Sequence, residues 1–385
     1  MPSGEGYTDR MINHDDGMRI AGALELIAQA QASSLQPVST WENIPQIIRA
    51  GLGEKVFPTG TQLIATHSVY GDLIFDVIGH NHDESIHDPN APTMTIQMHD
   101  VIYDTMFDAA EAMYYCEQAL PAGTYNFTIS TTWSKAIAGT YQFTLTHDVP
   151  AGGQIVGPYQ IADKNPDQWT LSTYSSATST TAIETVSVTS GSGGTNLGNI
   201  TTPSGNINHI HRIGYGSNNW EESALRQWLN SEGAANTWWK AKTKFDRPCN
   251  YTSRPGFLAG FSEAFRTAIG ECSHGNRTNG VFDLRGTNQA YETSEKVFVL
   301  CNEETGLVKE QGITCGTLYD YYKNATDADR IKYLYSDKVS PRHWWLRSPH
   351  PSNGHDERGV YTSGALNGYY VAYYGYGAVA ACVIY

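Results

Sequence analysis

Apolar residues recur at helical spacing close to the start of the chain. Over residues 17–32, Ile20, Leu24 and Ile27 fall on one face of a helix. The pattern Ser39-x-x-Glu42 is typical of a capping box and predicts a second short helix after it. We therefore expect a small helical segment over residues 1–60 that serves attachment or oligomerisation.

From about residue 60 to residue 200 the apolar period changes from the helical spacing to two. In GDLIFDVIGH, Leu73, Phe75 and Val77 recur at every second position on one face, and TYNFTIS and TYQFTLTHD behave in the same way. Turn signals rich in Gly and Pro separate these runs, so they predict an antiparallel, β-sandwich-like domain over residues 61–202. The run DTMFDAAEAMYY predicts a helix that covers one sheet. Residues 170–202 hold 17 Ser or Thr among 33 residues, and we favour edge strands there over a linker.

A third pattern begins near residue 203, and the whole chain reads as α+β. The run NNWEESALRQWLNS predicts a capped amphipathic helix, and PGFLAGFSEAFRTAIG predicts another with phenylalanines four residues apart. EKVFVLC predicts a strand, after which the chain becomes rich in loops until WWLRSP. The residues expected to form the scaffold of this domain, over residues 203–385, are Trp220, Trp228, Trp344, Trp345 and Leu346.

The charge divides the chain into two unequal parts. Residues 1–150 carry 18 acidic and 5 basic side chains, whereas residues 151–385 are almost neutral. No basic face is available to neutralise phosphates, which excludes nucleic acid as the main partner. No apolar run is long enough for membrane insertion, and no secretory signal is expected at the N-terminus.

Six cysteines without a CxxC pair predict reduced, buried thiols, with Cys249–Cys272 or Cys301–Cys315 bridges as the less favoured alternative.

Candidate chemistry is sparse. His80, His82 and His87 lie in GHNHDESIHD and are weak candidates for binding zinc or manganese, although an exposed polar loop explains them equally simply. His209 and His211 form a similar weak pair. The sequence holds no nucleophile elbow, metalloprotease motif or phosphate-binding loop, so we expect no enzymatic activity, no cofactor and no resident metal.

The last 27 residues contain no charged side chain, yet six tyrosines crowd between Tyr361 and Tyr376 among Gly, Ser, Asn and Ala. This composition is typical of binding loops, where tyrosine offers a large amphipathic contact area at low entropic cost. Interior packing is the alternative interpretation. It is less favoured because the consecutive Tyr369 and Tyr370 place rings on both faces of a strand.

Three ordered elements in residues 203–385 carry a resemblance: NWEESALRQWLNS, WWLRSP and the closing GAVAACVIY. In these elements the chain resembles the C-type-lectin-fold domain of variable proteins from diversity-generating retroelements, of the gut bacteriophage type. The wider fold family includes the formylglycine-generating enzymes. The upstream runs TWENIPQIIRAGLGEKVFPTGTQLI and LPAGTYNF are similar to N-terminal regions of such phage proteins.

The resemblance implies that error-prone reverse transcription diversifies a hypervariable region of about residues 342–385. The positions that it marks as diversified and ligand-binding are His350, His355, Asp356, Gly359, Tyr361, Gly368, Tyr369, Tyr370, Ala372, Tyr373, Tyr374 and Tyr376. It further implies a phage tail-fibre or tip protein, located in the virion, that forms a homo-oligomer, with a trimer favoured, and binds a bacterial cell-surface protein or glycan.

Other functions remain open at this point. A structural virion protein and a bacterial cell-surface adhesin are the alternatives without catalysis. An oxidase like the formylglycine-generating enzymes would need a paired cysteine site, and Cys382 has no second cysteine close to it in the sequence.

Overall fold

A computed structural model describes residue 22 and residues 40–130, 137–157, 165–200, 216–277, 290–310, 315–351, 356–373 and 375–385. Its architecture is mixed, with mostly β-sheet and few helices, so the expected α+β class is confirmed at that level. Among these residues, no helix is both long enough and apolar enough to cross a membrane.

Two short helices open the described chain, α1 (Ile44–Arg49) and α2 (Gly53–Val56). The helix expected after residue 39 is therefore present. It begins later than the capping box predicted, because Asn43 occupies the N-cap and Pro45 lies in the first turn. The helix expected over residues 17–32 lies outside the described residues, apart from Gly22.

The largest sheet joins distant parts of the chain. Strands β1 (Gln62–His67), β2 (Gly71–His80) and β3 (Met94–Met98) form an antiparallel meander. Strand β3 then pairs with β21 (Ala381–Ile384), which also pairs with β12 (Ile269–Gly270) and β15 (Val297–Phe298). Every residue of β3 and β21 is buried, so these two strands form the centre of the sheet.

A second unit is inserted between residues 113 and 200. Its strands are β4 (Tyr114–Tyr115), β5 (Gly123–Ile129), β6 (Gly139–Leu145), β7 (Gln154–Val156), β8 (Thr170–Tyr174), β9 (Glu184–Ser187), β10 (Thr189–Ser190) and β11 (Thr195–Asn199). They form two four-stranded sheets in the orders β10-β6-β5-β11 and β4-β7-β8-β9. Phe127 from one sheet stacks on Trp169 beside the other, inside a separate hydrophobic core. The strands expected within residues 170–202 are confirmed.

The expected boundary near residue 60 is corrected by this topology. Residues 44–109 share one hydrophobic core with residues 220–384, whereas residues 113–200 form the other core. The strands of residues 61–98 thus belong with the C-terminal part and not with the sandwich. Period-two patterning shows that a strand is half-buried but cannot show which distant strand it pairs with.

The helix expected over residues 104–115 is wrong. This segment is extended, and Phe107 donates its backbone N–H to Val371 O at 2.9 Å. Asp108 accepts from the backbone N–H of Ser217 at 2.9 Å and of Ala224 at 3.2 Å. These long-range bonds replace the local bonds of a helix, so tertiary contacts override helix propensity.

The remaining helices are α3 (Ala224–Leu229) and α4 (Glu263–Ala268). Trp220, Ala224, Trp228 and Leu229 are all fully buried, as the amphipathic pattern predicts. The second predicted helix is divided into a 3₁₀ turn (Phe257–Gly260) and α4, because Ser262 caps α4 by accepting from Phe265 N. Further 3₁₀ turns are Pro166–Gln168, Trp220–Glu222, Glu303–Thr305, Asp320–Tyr322 and Asp327–Arg330.

The C-terminal strands complete the fold: β13 (Cys272–Arg277), β14 (Ala290–Glu295), β16 (Lys332–Tyr333), β17 (Pro341–Pro349), β18 (Asp356–Val360), β19 (Leu366–Tyr370) and β20 (Tyr376–Gly377). Strands β16, β17, β18 and β19 are consecutive neighbours in one sheet, and β20 pairs with β17 in parallel.

One of the less favoured cysteine pairings is present. Cys301 and Cys315 form a disulfide, which corrects the expectation that all six thiols are reduced. The other four cysteines, including Cys249 and Cys272, are free and buried.

Candidate functional site

Strand β17 anchors the C-terminal tail in the core. Its residues Trp344 and Trp345 are both fully buried. The indole of Trp345 donates to Thr105 O at 2.7 Å, and that of Trp344 donates to Arg330 O at 3.2 Å. Because each indole N–H is satisfied, the two rings are fixed in place and form a rigid base for the strands beside them.

Arg347 follows these tryptophans and makes a buried ion pair with Glu304. Its guanidinium also donates to Val299 O at 2.6 Å and to Cys315 O at 3.0 Å. Although burial alone works to lower it, Glu304 raises the pKa of the Arg347 side chain. Glu304 also accepts from Cys301 N at 2.9 Å, so the Arg347–Glu304 pair connects β17 to both ends of the disulfide loop.

A hairpin of β18 and β19 lies against this base. Tyr361 N donates to Ala365 O at 2.9 Å to close the turn. Gly364 in that turn has φ +83°, and a Cβ there would lie 1.6 Å from Asp327 O. Only glycine fits that position, so the turn belongs to the fixed scaffold.

The hairpin and the loop after it carry what we term the tyrosine cluster, which comprises Tyr361, Tyr369, Tyr370 and Tyr373. Tyr361 is 37% exposed and the other three are half-buried. The ring of Tyr369 lies 4.3 Å from that of Tyr373 and 5.3 Å from that of Tyr370. Burial raises the pKa of Tyr369, and so do the nearby Tyr373 and Tyr361. The rings of Tyr370 and Tyr373 thus both pack against the ring of Tyr369.

Charged groups lie near the cluster. The Arg342 guanidinium lies 4.5 Å from the ring centroid of Tyr103, a tyrosine that interacts electrostatically with Tyr373. Arg358 pairs with Glu310, and a Cβ on Gly368 would lie 3.0 Å from the Arg358 guanidinium and 3.1 Å from His350. An aromatic centre with a polar rim is the usual anatomy of a protein-binding or ligand-binding surface.

Three of the expected ligand-binding positions lie inside the protein. Ala372 and Tyr376 are each 1% exposed. Gly359 is buried, and a Cβ there would lie 2.6 Å from the Tyr376 ring and 2.7 Å from Trp344 O. The expectation of surface contact is corrected for these three because they are buried, and Tyr376 and Gly359 pack against the tryptophan base.

The other expected positions are distributed as follows. His350, Asp356 and Gly368 are half-buried beside the tyrosine cluster. His355 and Tyr374 lie outside the described residues.

Sequence reasoning overlooked Glu357. Its side chain is fully buried, and neither carboxylate oxygen has a hydrogen-bond partner among the described residues. Burial raises its pKa well above the usual range for a glutamate, which favours the neutral carboxyl. The one signal available in the sequence was an acidic residue at position 357, two positions before the uncharged tail of residues 359–385.

The histidines proposed as weak metal ligands are not brought together. His80 Nε2 lies 2.8 Å from Phe57 O, the His82 ring stacks 3.8 Å from that of Tyr319, and His87 is exposed. Across the described part of the chain, no group of three or more His, Cys, Asp or Glu is arranged to hold a metal ion. His209 and His211 lie outside that part.

Comparison with known proteins gives one family. No curated protein matches the chain. No solved structure matches it either. A family model described as "Domain of unknown function (DUF6273)" matches residues 166–384, which is more than half of the chain, and the protein belongs to that family.

Proposed function

We propose that this protein is a ligand-binding recognition protein without enzymatic activity, in which the tyrosine cluster contacts a protein or glycan on a bacterial cell surface. In this proposal the C-terminal unit has a C-type-lectin fold and belongs to a phage tail fibre or tip. Retroelement-driven diversification then alters the exposed side chains of the tail.

The observation that carries the proposal is a hairpin on a rigid base that presents the exposed Tyr361 and the half-buried Tyr369, Tyr370 and Tyr373, with Tyr370 and Tyr373 packed on Tyr369. Ring contacts restrict the rotamers of Tyr369 and Tyr373, so little side-chain entropy remains to be lost on binding. The neutral centre also avoids the cost of burying unpaired charges against a partner.

Division of the tail into fixed and variable positions follows from burial. Substitution of the exposed Tyr361 alters the surface and should change stability by less than about 0.5 kcal/mol. Tyr370 is half-buried, and Tyr369 and Tyr373 also pack against the main core, so substitutions at these positions alter the surface and part of its support. Gly359 and Gly364 are then constant because a Cβ does not fit there, and Tyr376 is constant because its buried ring stacks on Trp345.

Display of several copies on one fibre compensates for a modest affinity at each site. We propose a homotrimer, in which linked sites raise the apparent affinity by avidity without new contacts.

A bacterial surface adhesin is the second candidate, and the Cys301–Cys315 disulfide favours it. Disulfides persist in oxidising environments outside the cytosol. The tyrosine cluster has the same role in both candidates, so they differ in the particle or cell that carries the protein. A structural virion protein, with the cluster as an assembly contact, is the remaining alternative.

The direct test measures binding of fluorescently labelled protein to a panel of intact gut bacteria by flow cytometry. The variant Tyr369→Ala/Tyr370→Ala/Tyr373→Ala should lose binding while it still melts in a single cooperative transition. Tyr333→Ala, at a similarly exposed tyrosine on β16, should bind as the parent does. Equal binding by the triple variant would refute the proposal.

Coding DNA tests the diversification separately. A near-copy of the stretch that encodes the tail, differing mainly at adenines, should lie beside a reverse-transcriptase gene. Without that copy the diversification is refuted, whereas the recognition role is still decided by the binding experiment.

A further inference from the structure

A crevice of about 840 Å³ lies between the two hydrophobic cores, away from the tyrosine cluster. One wall comes from the inserted unit and includes Ser172 and Tyr174 of β8. The other comes from the C-terminal unit and includes Arg247, Thr252 and Ser253. Its volume is in the range typical of small-ligand sites.

Arg247 is the one charged side chain that lines the crevice among the described residues, and it is only 8% exposed. Its guanidinium lies 3.9 Å from the ring centroid of Tyr174. Nη1 donates to Gln154 Oε1 at 2.8 Å and to Ser176 O at 3.0 Å, and Nη2 donates to Ser179 O. These acceptors are all neutral.

No carboxylate of the described residues contacts the guanidinium, so its positive charge is not paired with an anion there. Its Nε–H has no acceptor there, and one of the two Nη2 protons is also unused. A desolvated cation of this kind is costly unless an anion pairs with it. A planar donor pair of Nε and Nη2 matches the two oxygens of a carboxylate or phosphate.

The rest of the polar lining is neutral. It consists of hydroxyl and amide side chains from Thr170, Ser172, Thr180, Asn236, Asn250, Thr252 and Ser253. Such groups both donate and accept hydrogen bonds, which is what sugar hydroxyls require. One cation among many neutral hydroxyl and amide groups matches a ligand with one acidic group and many hydroxyls.

We propose that this crevice binds an acidic sugar residue of an oligosaccharide, with its anionic group on Arg247 and its hydroxyls on the surrounding Ser, Thr and Asn side chains. The site shares no residue with the tyrosine cluster, and the proposal does not depend on the function proposed for that cluster.

Isothermal titration of the full chain with trigalacturonate, and with galactotriose as the uncharged match, tests this site. We expect saturable binding of the acidic trisaccharide and at least about tenfold weaker binding of the neutral one. No saturable binding of trigalacturonate, or equal affinity for the two, would overturn the proposal. Inorganic phosphate distinguishes the source of the anion: displacement of the sugar by phosphate at lower concentration than the sugar itself would overturn the saccharide assignment.

Variants locate the site without removing the arginine. Ser253→Trp places an indole at an exposed position of the crevice wall and should weaken trigalacturonate binding at least about tenfold by occlusion. Ser187→Trp, at an exposed position of β9 outside the crevice, should bind as the parent does. Unchanged binding by Ser253→Trp would overturn the location. Arg247→Lys keeps the charge but removes the planar donor pair, and undiminished affinity in this variant would contradict the role of Arg247.

Discussion

The ring of Tyr376 stacks on Trp345 beneath the hairpin, with the centroids 4.3 Å apart and the planes inclined by 25°. Its hydroxyl accepts from Asn367 Nδ2 at 3.1 Å. Tyr376 belongs to the core, whereas Tyr361 in the same tail is exposed. Two tyrosines of one compositionally uniform tail therefore have opposite roles.

Replacement of Tyr376 by alanine should lower the free energy of unfolding by about 3–5 kcal/mol, because a large buried ring is lost and a cavity remains. Urea denaturation measures this change. Tyr361→Ala is the matched control and should change stability by less than about 0.5 kcal/mol. Similar losses in the two variants would contradict the division between core and surface.

Loss of one partner of the Arg347–Glu304 pair should be strongly destabilising. Arg347→Met leaves Glu304 buried without its cation, which should cost about 3–5 kcal/mol. The double variant Arg347→Met/Glu304→Leu should recover much of that loss, because no lone charge remains in the core. The free energies of unfolding of the parent, of both these variants and of Glu304→Leu, measured by chemical denaturation, form a double-mutant cycle.

Purely additive losses in that cycle would contradict a direct coupling between the two side chains. The exposed pair of Lys323 and Asp320 is the control. Lys323→Ala should change stability by at most about 1 kcal/mol, since exposed ion pairs contribute little.

Removal of the disulfide by Cys301→Ser/Cys315→Ser should lower the free energy of unfolding by about 3 kcal/mol, because the unfolded chain gains freedom in a loop of this size. Reduction of the parent protein should bring its stability close to that of the variant. Thiol labelling of the unfolded parent should detect four cysteines before reduction and six after it. Six reactive thiols in the unreduced protein would rule out the bridge.

Glu357→Gln should stabilise the protein at neutral pH and have little effect near pH 4. Burial raises the pKa of Glu357 in the folded state, so above the unfolded value of about 4.3 the folded chain holds a proton that the unfolded chain releases. The parent therefore loses stability as the pH rises through that region, and the glutamine variant does not share this loss.

Melting temperatures of both proteins between pH 4 and pH 7 measure the difference. Glu54→Gln, at an exposed glutamate of α2, is the control. Its melting temperature should follow that of the parent over the whole pH range. A Glu357→Gln curve that also runs parallel would show that Glu357 is not protonated in the folded protein.

Local chemistry was enough to predict several elements of this protein. The apolar face of Trp220, Ala224, Trp228 and Leu229 was evident from spacing, because side chains three and four apart share one helix face. The period of two identified the strands of the inserted unit, and Trp344 and Trp345 were expected as scaffold residues of the C-terminal domain. The tail was recognised as unusual from its composition alone.

Tertiary structure decided what local patterns cannot encode. Strand β3 pairs with β21 across almost 300 residues, and Asp108 fixes its own extended segment by accepting from two distant backbone N–H groups. The same holds for the tail, where Tyr376 and Tyr369 look alike in the sequence. One stacks on Trp345 and the other borders solvent, because exposure depends on the partner strand that covers a residue and not on the residue itself.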